Sequence, residues 1–129
     1  MIIIDTSAWI EYFNNGIPRV VQKVDEALEG EIVGIGDLVY CEVLQGIRYR
    51  HEWDQISTLF NSLTRCPMVG FPIAEKASRN YTILRSKGIT IRKTIDVIIG
   101  TYCVENGLGL IHNDRDFDIM SPYLGLKII

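Results

Sequence analysis

Short, uninterrupted apolar runs alternate along this chain with stretches of helical periodicity, and that alternation limits the fold more than any other feature. Met1–Ile4 is the first run and stops at Asp5. Ile32–Ile35 and Gly109–Ile111 follow the same plan, and Asp114 stands shortly after the last of them. Strands that are apolar on both sides must be covered on both sides, which is the condition of a parallel sheet packed between helices. Ala8, Trp9, Tyr12 and Phe13 share a helical face behind the capping hydroxyls of Thr6 and Ser7, and Asn14-Asn15-Gly16 ends that segment. Pro18 opens a second helix with Val20, Val21, Val24, Ala27 and Leu28 on one face, stopped by Gly30. Further helices are expected from Asp37 to about Tyr49, across Trp53–Leu63, from Ala74 to Lys87, from Thr94 to Gly107, and briefly after Asp114. Pro67–Phe71 and Gly125–Ile129 complete the expected strands. The predicted architecture is an α/β three-layer sandwich, its mostly parallel central sheet covered by helices on both faces. In such folds a site forms outside the carboxyl ends of the strands.

Composition narrows the class. A length of 129 residues fits a single domain, 1–129, and 47% hydrophobic against 22% charged residues can fill its core. The 3 cysteines, Cys41, Cys66 and Cys103, are odd in number and form no C-x-x-C pair. They speak against a disulfide scaffold or a cysteine zinc site and fit a reducing cytoplasm. No stretch approaches the roughly 18–20 apolar residues of a membrane span. Asp5 interrupts the apolar start with no basic segment before it, so no signal peptide is expected. Against 16 acids stand 13 basic residues, a formal charge of -3. Bulk charge therefore does not recruit nucleic acid, and the placement of individual acids carries the argument.

Four acids need an explanation: Asp5, Glu42, Asp96 and Asp114. Taken singly, Asp5 and Asp114 are equally compatible with helix caps, and Asp96 with a first-turn carboxylate favoured by the helix dipole. Glu42 sits among Leu38, Val39, Tyr40, Cys41, Val43 and Leu44. An unpaired buried carboxylate costs several kcal/mol, so Glu42 must face a cation or a polar cleft. Taken together, two acids follow strands on the same edge of a parallel sheet, and two lie on helices which that sheet brings near. Carboxylates gathered there repel one another unless a positive charge sits among them, and a hard divalent cation is the simplest solution. His51 reads as a surface residue and His112 as the closure of a strand rather than a ligand.

These residues carry a resemblance. Met1-Ile2-Ile3-Ile4-Asp5-Thr6-Ser7, with Trp9-Ile10 behind it, resembles the opening of PIN-domain ribonucleases, and within them the VapC toxins of type II toxin–antitoxin pairs. Glu42-Val43-Leu44-Gln45-Gly46 is similar to the family's second acidic motif. Gly88–Arg92 leading into Asp96-Val97-Ile98-Ile99 is similar to the third, and Leu110–Phe117, with Asp114 and Asp116, to the fourth. The likeness runs the length of the chain in order. It departs at His112-Asn113, where Thr or Ser often stands, and at Gly100, where Ala is common. The resemblance implies Mg2+, or Mn2+ in its place, held by Asp5, Asp96 and Asp114 with Asp116 assisting. Glu42 would bind the ion through water or orient the attacking water, and Ser7 would bond a carboxylate or phosphate nearby. It implies hydrolysis of an RNA phosphodiester, a VapB-like antitoxin partner, and a homodimer formed through the N-terminal half of the chain.

RNA has to be drawn to this acidic protein locally. Arg85, Lys87, Arg92 and Lys93 cluster before Asp96 and are candidate phosphate contacts; each reads equally as part of a solvated loop. Arg48 and Arg50 are further candidates, and no aromatic stacking platform stands out. Two alternatives remain: a PIN-like RNA-processing nuclease without an antitoxin, and a phosphoaspartyl receiver-type signalling domain. The receiver is disfavoured because Thr6-Ser7, rather than a second acid, follows Asp5, and because His112-Asn113 ends the late strand where a lysine is needed.

Overall fold

The apolar runs do form strands, and they pair side by side. The computed structural model describes residues 1–129, with β1 (Ile2–Ile4), β2 (Val33–Gly36), β3 (Thr64–Cys66), β4 (Gly109–Ile111) and β5 (Lys127–Ile128) in one sheet. The strand order is β3-β2-β1-β4-β5, and every pairing is parallel, where a mostly parallel sheet was expected. Seven helices connect the strands: α1 (Thr6–Phe13), α2 (Pro18–Gly30), α3 (Asp37–Gln45), α4 (Arg50–Asn61), α5 (Phe71–Ser86), α6 (Thr94–Asn106) and α7 (Arg115–Leu124).

This order explains the layering. The chain steps outward from β1 to β2 to β3, then crosses back to β4 and β5. Right-handed crossovers in opposite directions put α1–α4 on one face and α5–α7 on the other. Packing agrees: α1 touches α2 and α3, α3 touches α4, and α6 lies against α5 and α7. The direction of winding switches between β1 and β4, and a crevice opens at such a point beyond the carboxyl ends of the strands. Ile4 pairs with Ile111, and the Asp5 amide donates to the Ile111 carbonyl at 2.9 Å, so Asp5 and the segment after β4 meet there.

Ile3, Ile4, Leu110 and Ile111 are fully buried within the sheet layer. Trp9 belongs to the core, its ring 5.5 Å from Phe13 and 5.1 Å from Phe60. No helix is long and apolar enough to cross a membrane.

Two expectations are corrected. The third strand is Thr64–Cys66, and Pro67–Phe71 is not a strand. As an edge strand, β3 exposes Thr64 and Arg65, so it has no apolar run to announce it. Pro67 lacks an amide N–H, and the next two N–H groups, of Met68 and Val69, donate to the Asp37 carboxylate instead of a neighbouring strand. The helix beginning at Asp37 stops at Gln45 rather than near Tyr49, and α4 begins at Arg50.

Candidate metal centre

Asp5 caps α1. Its Oδ2 accepts the Ser7 amide at 3.0 Å and the Ser7 hydroxyl at 2.6 Å. The Ser7 Oγ in turn accepts the Asn113 amide at 2.9 Å, tying the end of β1 to the segment after β4. Asp5 is 4% exposed, and its Oδ1 is buried without a hydrogen-bond partner. Burial pushes its carboxyl above the usual range, against the opposing bonds from Ser7.

Asp96 lies in the first turn of α6 and is 3% exposed. Its Oδ2 is also buried without a partner. Its pKa is pushed up to about 7, first by burial and then by the negative charges of Asp5, Asp114 and Glu42, with Lys93 opposing. Asp114 caps α7, its Oδ1 accepting the Asp116 amide at 3.0 Å. Asp116 itself is buried. Asp96, Asp114 and Asp116 each present a carboxylate oxygen, and these three oxygens lie within 4.8 Å of one another. Asp5 faces the same site, close enough for its charge to act on Asp96. Glu42, half-buried on α3, accepts the Thr6 hydroxyl on Oε1 at 2.9 Å, which joins α3 to the start of α1.

Positive charge reaches the site from one side. Arg92 places Nε 3.3 Å from Asp116 Oδ2 and Nη2 3.7 Å from Asp114 Oδ1. Lys93 occupies the cap position of α6. Arg85 and Lys87 are exposed at the end of α5, and the Arg85 guanidinium lies 5.8 Å from the Tyr81 ring rather than against any of the acids. His51 is exposed. His112 has neither ring nitrogen to spare: Nδ1 accepts the Asp114 amide at 3.0 Å, which assigns the proton to Nε2, 3.1 Å from Asp118 Oδ1.

The donor set is all oxygen and strongly anionic, as a hard divalent cation requires. The two buried, unpartnered carboxylate oxygens, Asp5 Oδ1 and Asp96 Oδ2, are acceptors that the protein leaves unanswered. Asp96, Asp114 and Asp116 therefore fit such an ion.

Known proteins resemble this chain over nearly its whole length. Residues 2–121 match the family described as the PIN domain. The chain belongs to the PIN-domain family. Ribonuclease VapC11 of Mycobacterium tuberculosis is 28% identical over 129 residues, covering 98% of this chain and 96% of the relative. A VapC ribonuclease of Mycobacterium bovis matches to the same extent, 28% over 98% and 96%. Among solved structures, VapBC2 from Rickettsia felis, bound to a DNA fragment from its promoter, superposes with a TM-score of 0.77 at 16% identity, covering 100% of this chain and 98% of the other. FitAcB from Neisseria gonorrhoeae gives 0.74 at 17% identity, covering 100% and 96%.

This PIN domain also holds features that were missed in the sequence. Asp37 looked like an ordinary helix start, yet it bonds the amides of Leu38, Met68 and Val69 and so fixes the β3–α5 connection. Arg48 and Arg50 were already candidates, but their aromatic partners were not: with Ile47, Tyr49 and Trp53 they line a cavity of about 400 Å³, the Arg50 guanidinium 5.9 Å from the Trp53 ring. Its signal was the interleaving of arginines and aromatics in Arg48-Tyr49-Arg50-His51-Glu52-Trp53.

Proposed function

We propose that the chain is a metal-dependent endoribonuclease acting as the toxin of a VapBC-type toxin–antitoxin pair. The observation that carries this reading is the set of three carboxylate oxygens from Asp96, Asp114 and Asp116 within 4.8 Å of one another, next to the unpartnered oxygens of Asp5 and Asp96. Relatives named as VapC ribonucleases support the nuclease, and solved toxin–antitoxin complexes of the same fold support the partner.

Asp5, Asp96 and Asp114 would hold the ion, Mg2+ by preference and Mn2+ as a substitute, with Asp116 assisting. When bound, the cation supplies Lewis acidity toward water and toward a phosphoryl oxygen of RNA. Ser7 keeps Asp5 in one orientation through two hydrogen bonds. Thr6 occupies Oε1 of Glu42, which leaves Oε2 to orient a water for in-line attack on phosphorus. The products are a 5′-phosphate and a 3′-hydroxyl. Arg92 and Lys93 stand beside the acids and contact backbone phosphates, with Arg85 and Lys87 further along the strand's path. A VapB-like antitoxin encoded beside the chain covers this site.

The test is expression of the tagged chain together with its neighbouring gene, and then alone. The pair co-purifies, and the chain alone arrests growth and cleaves RNA in Mg2+. Asp5→Asn or Asp96→Asn lowers cleavage by at least about 100-fold and relieves the arrest. Undiminished cleavage by both purified variants, contaminating nuclease excluded, overturns the metal site. Absence of both partner and toxicity overturns the toxin role.

A further inference from the structure

We propose that Arg92 is an exchangeable counter-ion of the acid cluster. It holds Asp114 and Asp116 until a divalent cation takes them, and then turns to a backbone phosphate of the RNA. The inference rests on the metal-dependent ribonuclease reading above and adds a role for one side chain.

Three observations carry it. The first is anchorage. Ile91 is buried, and the Lys93 carbonyl accepts the Asp96 amide at 3.1 Å where α6 begins, so the backbone at Arg92 is held on both sides, while the Arg92 side chain is 65% exposed. A long side chain on a fixed root can swing without moving the fold. The second is the looseness of its grip. Its two contacts, at 3.3 and 3.7 Å, go to two different carboxylates and exceed the roughly 2.7–2.9 Å of a tight charge-assisted bond. Arginine's planar fork would give a bidentate pair on one carboxylate if permanent binding were its role.

The third is what Arg92 fails to reach. Asp5 Oδ1 and Asp96 Oδ2 stay buried and unpartnered although a guanidinium lies at the rim of the same cluster. A planar guanidinium at the rim leaves them unanswered, whereas a compact divalent ion could lie among Asp5, Asp96, Asp114 and Asp116. Arg92 therefore competes with the ion for Asp114 and Asp116 and is the weaker competitor. Once released it sits next to Lys93 with its charge uncommitted, beside the place where the scissile phosphate must lie. Metal binding and RNA binding then favour one another through this side chain.

Two readouts test the exchange, one of them independent of catalysis. Mn2+ titrated into metal-free protein and followed by electron paramagnetic resonance should bind Arg92→Gln about three- to tenfold more tightly than wild type. In the wild type, the Arg92 Nε–Hε resonance, assigned by its loss from Arg92→Gln, should shift on saturation with Mg2+ while the other arginine resonances stay in place. At saturating Mg2+ the same variant should cleave a mixed-sequence single-stranded oligoribonucleotide at least about tenfold more slowly, so that the form binding metal better cuts worse. Mn2+ affinity in Arg92→Gln equal to or below wild type, an Arg92 resonance unmoved by Mg2+, or undiminished cleavage overturns the exchange and leaves the metal site standing. A wild-type protein that binds no Mn2+ overturns the metal site as well.

Discussion

Burying Asp96 costs the fold stability, and its titration makes that cost measurable. In the unfolded chain the group ionises near 3.8; in the folded protein its pKa is pushed up to about 7, mainly by burial. Between those values the native state keeps a proton that the unfolded state has lost. Stability is therefore highest below pH 3.8, as far as this group is concerned, and falls as pH rises through about 7. Asp96→Asn removes the ionisation. In EDTA the variant should unfold later than wild type at pH 8, by on the order of 1–4 kcal/mol, and the gap should close toward pH 4. Thermal melts at the two pH values check this; parallel curves for the two proteins would show that burial does not hold the carboxyl in its neutral form. Under the proposed function the same carboxyl must ionise to bind a cation, so the site would be less stable without its ion.

At the scale of elements, legibility followed burial. α6 was readable because its apolar residues run around most of its circumference and Gly107, at a φ of 63°, closes it in the left-handed conformation. The strands β1, β2 and β4 were readable for the same reason, since nothing polar interrupts them. β3 and the end of α3 were not. An edge strand reading Thr-Arg-Cys carries no apolar pattern, and the helix signal past Gln45 runs through Gly46 into a loop whose Ile47 is still partly buried. Gly100, the residue that departs from the usual Ala, is in the middle of α6. A Cβ there would meet Met120 Sδ at 3.1 Å and Leu126 Cδ2 at 3.7 Å. The nearer neighbour is the adaptable thioether of a methionine, so it can give way by the few tenths of an ångström required. Mid-helix Gly→Ala gains about 0.5–1 kcal/mol from propensity and the unfolded state. Gly100→Ala should therefore raise the melting temperature by a few degrees, with cleavage unaffected; a lower melting temperature would mean that the Met120 contact is rigid.

For the whole molecule, the formal charge of -3 said little about its partner, because the acids fall into two populations. Most are solvated, while Asp5, Asp96 and Asp116 are buried where the winding reverses between β1 and β4. The gathering of distant acids was legible, since it follows from where strands end. That Arg92 reaches across to Asp114 and Asp116 was not, because side-chain directions depend on packing between elements. The consequence for the molecule is a linkage. A ligand that binds only the folded chain adds RT ln(1 + [L]/Kd), about 2.7 kcal/mol at a hundredfold excess over Kd. At pH 8, wild type should thus melt higher in Mg2+ than in EDTA, and Asp96→Asn should melt at the same temperature in both. The variant starts above wild type without metal, so the order of the two proteins should narrow and then reverse as Mg2+ is titrated. Calorimetry across that titration decides the point. A Mg2+-induced rise equal in both proteins would place the ion elsewhere on the surface, while a crossing assigns it to the carboxylates that the fold holds together at its own expense.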